Sequence, residues 1–168
     1  MTFDPISICP TLDEDGVKFV VLGGFAAVIH GSPLPTEDID VSPARDNANL
    51  ERLACALKRL NAAIRTSDGP VPTRIDAGSI KNMPNMLNLV TDMGDLDLVF
   101  NHAGNLKSYD QWNERAEFAE LEPGLVIAVA SLDDIIASKT AANRIKNQRS
   151  LPYLESLRDE LRLNDNNP

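Results

Sequence analysis

The chain has 168 residues, 43% hydrophobic and 24% charged, a balance that excludes a largely disordered protein. Its 16 Lys and Arg stand against 25 Asp and Glu, a net charge of −9, which excludes a simple basic nucleic-acid-binding module and leaves any such contact to a local basic patch. The longest apolar run, Val17 to Ile29, is interrupted by Lys18 and Gly23-Gly24, short of the ~18 residues that a membrane span needs.

Length predicts a single domain over 1–168, with a core over about 15–130 and C-terminal helices over about 131–163. Cys9 and Cys55 lack a CxxC partner or a neighbouring histidine. They suit unpaired thiols in a reducing compartment better than a disulfide framework or a zinc site. Met1–Pro5 carries neither a basic nor an apolar leader segment, so the expected compartment is the cytoplasm.

In chain order, residues 1–14 form a lead-in whose Phe3, Ile6, Ile8 and Leu12 pack as a short helix or an edge segment. Val17 to Leu22 is β-branched and apolar, a buried strand closed by the Gly23-Gly24 turn. Phe25 to His30 is a short Ala-rich helix stopped by Gly31-Ser32-Pro33. Asp38 to Val41 alternates polar and apolar residues and reads as a strand. Leu50, Leu53, Ala54, Leu57 and Leu60 give Asn47 to Asn61 the spacing of an amphipathic helix. Ile64 opens a further strand, and Ser67 to Pro84 is a loose Gly-, Pro- and Ser-rich stretch. Met86 to Thr91 and Asp95 to Phe100 form a hairpin turned at Asp92-Met93-Gly94. A short helix or strand falls around Glu114 to Leu121, and Leu125 to Ala130 is another strand. Ser131 caps a helix from Leu132 to about Asn147. Pro152 opens a last one from Tyr153 to about Leu163, and Asn164 to Pro168 frays. The fold class is α+β (α/β): a mixed β-sheet flanked by helices, with a C-terminal helical segment.

Asp38 and Asp40 lie two apart on a strand, so both carboxylates share one face. Two such groups about 5 Å apart repel by about 3 kcal/mol at an effective dielectric of 20, and a cation relieves that cost. Oxygen donors without histidine or cysteine suit Mg²⁺ or Mn²⁺. An Asp-x-Asp on an exposed edge facing water is the plainer alternative. The Gly23-Gly24 turn before it favours the first reading: a phosphate can approach its backbone, and the start of the following helix attracts anions. Asp97 is the candidate third carboxylate, with Asp95 as the fallback on the same face of its strand.

Leu22-Gly23-Gly24, His30-Gly31-Ser32 and Thr36-Glu37-Asp38-Ile39-Asp40-Val41 resemble the signature of the DNA polymerase β-like nucleotidyltransferase superfamily. Ser131 to Lys146, followed by Leu151-Pro152-Tyr153-Leu154, resembles the C-terminal helical segment of AbiEii-like and MenT-like nucleotidyltransferase toxins. The pattern departs at Leu34, where many relatives carry arginine, and at Asn147 and Ser150, where acids are common. The resemblance implies transfer of a nucleotide from a nucleoside triphosphate to the 3′ end of tRNA, with a cognate antitoxin, in some relatives kinase-like, as partner. Under it, Asp38, Asp40 and Asp97 hold two Mg²⁺ ions about 3.5–4 Å apart. Lys139 is the triphosphate cation, with Asn143, Lys146 and Asn147 following on one helical face.

Gly23, Gly24, Thr36, Lys139 and Lys146 are therefore the expected nucleotide-binding residues, and Asp38, Asp40, Asp97 and Lys139 the catalytic ones. Thr36 is a turn hydroxyl or a phosphate contact, and a phosphoryl group there would place about −2 charge in the triphosphate's path. His30 reads as a helix-end residue and His102 as an isolated loop residue. No aromatic row suggests an RNA platform, so RNA contact falls to Arg65, Arg74, Lys81, Lys107, Arg144, Lys146 and Arg149. A small-molecule nucleotidyltransferase and a non-catalytic antitoxin or interaction module remain the competing functions.

Overall fold

The structure, a computed structural model, describes residues 4–166. The expected packing of Phe3 and the expected fraying of residues 167–168 lie outside the described residues, whereas Asn164 and Asp165, also expected to fray, are helical. The chain opens with α1 (Pro5–Glu14), started by Asp4, whose carboxylate accepts from the Ser7 amide. Ile8 and Leu12 of this helix are fully buried, so the lead-in is helical and anchored.

The elements that follow are β1 (Phe19–Leu22), α2 (Gly23–Ile29), β2 (Asp38–Pro43), α3 (Asn47–Arg59), β3 (Ala63–Thr66), β4 (Gly69–Val71), α4 (Ala77–Lys81), β5 (Met86–Thr91), β6 (Gly94–Val99), α5 (Tyr109–Glu114), β7 (Glu117–Glu122), β8 (Leu125–Val129), α6 (Leu132–Ala142) and α7 (Ile145–Asp165). The strands form one eight-stranded sheet in the order β4-β3-β5-β6-β2-β1-β8-β7. It is mixed as expected: β1 runs parallel to β8 and β2 parallel to β6, while the other neighbours are antiparallel. No described helix is long and apolar enough to cross a membrane.

The alternating pattern of β2 does what period two requires. Ile39 and Val41 are fully buried, whereas Asp38 and Asp40 are half-buried on the other face. In β6, Leu96 and Leu98 enter the core, alternating with Asp95 and Asp97. On α3, the Leu50, Leu53 and Leu57 stripe is buried, its first turn capped by Asp46 on the Asn49 amide. Each buried leucine contributes roughly 1.5–3 kcal/mol. These stripes therefore hold the sheet and leave its polar strand ends free to build a cleft.

Two expectations are corrected and a third, left between helix and strand, is decided. The stretch over 67–84 is not loose: β4 pairs with β3, and Asp76 caps α4 by accepting from the Ser79 amide. The segment around 114–121 is the edge strand β7, one of its two expected forms, and α5, which buries Trp112 and carries a full Ser108–Gln111 capping box, precedes it. The C-terminal pair breaks earlier than expected. Asn143 takes a left-handed conformation (φ 47°) and ends α6, and α7 then runs through Pro152. Asparagine tolerates that conformation better than most residues. Leu154, 1% exposed, docks this helix in the core.

Candidate active site

β1 delivers the chain to Gly23 with φ +65°, a left-handed conformation that only glycine adopts without cost. The two glycines also make room. A Cβ at Gly23 would overlap Asp40 Oδ2, and one at Gly24 would lie 2.8 Å from Thr36 Oγ1. Asp40 and the Thr36 hydroxyl thus stand against the turn itself. Thr36 Oγ1 lies 3.0 Å from the Asp38 carbonyl oxygen and 3.2 Å from Asp38 Oδ1, and donates to Asp38.

The parallel pairing of β2 and β6 sets Asp38 opposite Asp95 and Asp40 opposite Asp97. Four carboxylates therefore share one end of two adjacent strands. Asp97 is 6% exposed. Burial, then the charges of Asp38 and Asp97, raise the pKa of Asp40 to about 7, against a smaller lowering by Lys139 and Lys146. Burial also raises the Asp97 carboxyl, while Asn88 and Arg65 pull it down.

Cations answer this charge from two sides. Lys139, half-buried on α6, is pushed down by burial and held up mainly by Asp40. Lys146 belongs to α7 and not to the helix of Lys139, so the expected single basic face is replaced by two helix ends. The turn at Asn143 brings both lysines to Asp40, and Asn147 Nδ2 donates to the Lys139 carbonyl across it at 3.3 Å. From the other side Arg65 of β3 contacts Asp95 and lies 2.7 Å from Asp97 Oδ1. Arg65 was an expected RNA contact; it is an ion-paired member of this cluster. The signal for it was a lone arginine on a short strand, which sequence could not connect to β6.

A cleft of about 370 Å³ is lined by Gly24, Leu34, Thr36, Asp38, Asp40, Arg65, Asp97, Lys139, Lys146 and Ser150, among others. A smaller compartment of about 150 Å³ meets it at Asp40 and Lys139 and is lined by Gly23, His102, Trp112 and Ser138. His102 is not isolated: its Nδ1 lies 2.7 Å from Ser138 Oγ, and its ring stands edge-on to Trp112 at 5.3 Å. Burial keeps its pKa low. Outside the cleft, His30 caps α2, its Nε2 2.8 Å from the Ala130 carbonyl, which suits a helix-end role.

Among the described residues, no three His, Cys, Asp or Glu side chains are gathered as a metal-holding group. Asp38, Asp40 and Asp97 share one strand end, but Asp97 is engaged by Arg65.

The chain matches the family described as AbiEii, nucleotidyl transferase AbiEii toxin, Type IV TA system, over residues 11–159. No curated protein matches it. Its fold is similar to that of the lincosamide antibiotic adenylyltransferase LnuA in its lincomycin-bound form, with a TM-score of 0.62, 13% identity, and coverage of 94% of this chain and 99% of that one. It is similar to a candidate nucleotidyltransferase from Thermotoga maritima (TM-score 0.52, 19% identity, 94% and 90% covered). The antibiotic-resistance factor ANT(2″)-Ia is a further match (TM-score 0.54, 14% identity, 94% and 88% covered).

Proposed function

The chain belongs to the AbiEii nucleotidyl transferase toxin family, and on that premise we propose that it transfers a nucleoside monophosphate from a nucleoside triphosphate to an RNA acceptor, the 3′ end of a tRNA. It is a nucleotidyltransferase and the toxin of a type IV toxin–antitoxin system, so a nucleoside triphosphate substrate and a cognate antitoxin follow from the family. The observation that carries the site assignment is the juxtaposition of Asp38, Asp40 and Asp97 with Lys139 and Lys146 in one cleft.

By donor chemistry Asp38, Asp40 and Asp97 suit a hard divalent cation, Mg²⁺ or Mn²⁺, although among the described residues they are not gathered as a three-ligand group. All are carboxylate oxygens, and burial with like charge leaves Asp40 held up at about 7, a cost that a bound cation relieves. When bound, such an ion neutralises triphosphate oxygens and lowers the pKa of the attacking hydroxyl. The chain's own groups do the rest. Lys139 and Lys146 bind the triphosphate as point charges. The lack of side chains at Gly23 and Gly24 lets Asp40 and the Thr36 hydroxyl stand against the turn, where they face the nucleotide in the cleft. The acceptor hydroxyl oxygen bonds to the α-phosphorus, the bond from that phosphorus to the bridging oxygen breaks, and pyrophosphate leaves with the electron pair. The hydroxyl proton passes to a carboxylate of the cluster, for which buried Asp97 is the candidate base. Positioning and charge stabilisation supply most of the rate.

Regulation by phosphorylation at Thr36 belongs to the same reading. Its hydroxyl sits between Gly24 and Asp38, so a phosphoryl group there adds about two negative charges beside a carboxylate and closes the site to triphosphate. A kinase-like antitoxin would supply it, and intact mass after co-expression with the antitoxin reads it directly.

A small hydroxylated acceptor is the second reading, supported by the fold shared with a lincosamide adenylyltransferase and by the acidic net charge of −9. One assay separates the two: labelled ATP, CTP, GTP and UTP with Mg²⁺ and total tRNA, beside Asp40→Ala. A labelled tRNA band absent with the variant is expected. Label on a small acceptor alone would replace the RNA reading. No transfer under any condition would leave a non-catalytic module and overturn the proposal.

A further inference from the structure

Arg65 crosses the sheet to reach its partners. Ile64 pairs with Leu89 of β5, so the next residue, Arg65, comes level with Asn88. Asn88 is opposite Asp97, which is opposite Asp40. The row Arg65, Asn88, Asp97, Asp40 thus spans four strands on one face and lines the cleft. From its end, one guanidinium nitrogen of Arg65 holds Asp95 Oδ2 and the other Asp97 Oδ1.

We propose that Arg65 is a positioning residue of the transfer site: its fork ties Asp97 to Asp95 and sets the Asp97 carboxylate to receive a divalent cation. The inference rests on the metal-dependent reading above. Asp95 and Asp97 point to one face of a single strand, where their repulsion turns the carboxylates apart unless something bridges them. A planar guanidinium fork holds two carboxylates in a preorganised geometry that an ammonium on a flexible stem does not fix. The two acids differ in exposure, with side chains 34% exposed at Asp95 and 8% at Asp97. The outer acid therefore serves as the anchor and the inner one as the group that is aimed. Arg65 holds Asp97 at Oδ1, which leaves Oδ2 as the oxygen it does not engage. Partners of this kind act on a metal through its ligand.

The sign of the effect on metal affinity tests the idea. A bystander cation repels Mn²⁺, so its removal tightens binding; a positioning residue weakens binding when removed. Mn²⁺ alone is titrated into the full chain, with free Mn²⁺ followed by electron paramagnetic resonance and folding followed by circular dichroism. Arg65→Ala is expected to bind Mn²⁺ about 10- to 100-fold more weakly. Arg65→Lys, which keeps the charge and the stem, is expected to show a similar loss and stays informative if the alanine variant fails to fold. Tighter or unchanged binding in Arg65→Ala, or wild-type affinity in Arg65→Lys, overturns the proposal. If Asp40→Asn abolishes binding while both Arg65 variants match the wild type, this proposal alone fails. No Mn²⁺ binding by the wild type overturns the metal reading, and this inference with it.

Discussion

Gly23 lies so close beneath Asp40 that one added carbon would overlap the carboxylate oxygen Oδ2. The pair joins the end of β1 to the face of β2, which are antiparallel neighbours with Leu22 opposite Asp40. The glycine is therefore required twice, for its φ of +65° and for the absence of a side chain.

Gly23→Ala is expected to cost about 1–2 kcal/mol from the left-handed backbone alone. It also displaces Asp40, and misplacing a reacting group by about 1 Å can cost 100-fold in rate. A lowered melting temperature with at least that loss of nucleotide transfer is the expected result. A variant with wild-type transfer would refute the close approach.

Asp40 links function to stability. Its pKa is raised from the ordinary 3.8 to about 7, first by burial and then by Asp38 and Asp97. Between those two values the folded chain holds a proton that the unfolded chain releases. Stability without metal therefore falls as pH rises through that window and is level above it. Asp40→Asn carries no charge to bury. In chelator it should melt above the wild type at about pH 8, the difference closing towards about pH 4, while transfer is lost. A variant no more stable than wild type at the higher pH contradicts this electrostatic account.

His102 has the opposite sign. Burial, with the charges of Arg144, Lys107 and Lys139 as smaller contributors, lowers its pKa below the ordinary 6.5, opposed only by the bond at Ala103. The unfolded chain takes up this proton first as pH falls, so the stability that His102 contributes is present above 6.5 and is lost as pH falls through the folded value. The chain has two histidines, which makes proton NMR direct. The ring signals of His102 should still report neutral imidazole where a free histidine is half protonated. His102→Asn should flatten the acid limb of the stability curve, and a titration midpoint at or above 6.5 would contradict the burial.

Much of the site was legible because it is local. Gly23-Gly24 and Asp38-Ile39-Asp40 place turn, strand and paired carboxylates within a short segment, and period two settles which residues share a face. The β5–β6 hairpin was equally clear, since its alternation extends on both sides of a turn. Arg65 and the His102–Ser138 contact were not legible. Each joins residues 30 or more positions apart, and nothing in a lone arginine or histidine says which strand or helix will lie beside it. The division between α6 and α7 was missed for a related reason. Helical periodicity continues through Asn143, and the break rests on a conformation that asparagine tolerates but does not announce.

By itself, then, the amino-acid order determined the short-range geometry: the strands β1, β2, β5 and β6, which carboxylates share a face, and where the backbone must turn at glycine. Tertiary structure decided the pairing of β2 with β6 that sets Asp97 opposite Asp40, the arrival of Lys139 and Lys146 from two separate helices, and the ion pairs of Arg65. Local order follows from steric and periodic rules that act over a few residues. The meeting of distant charges depends on which apolar faces bury against each other, and only the folded chain resolves that.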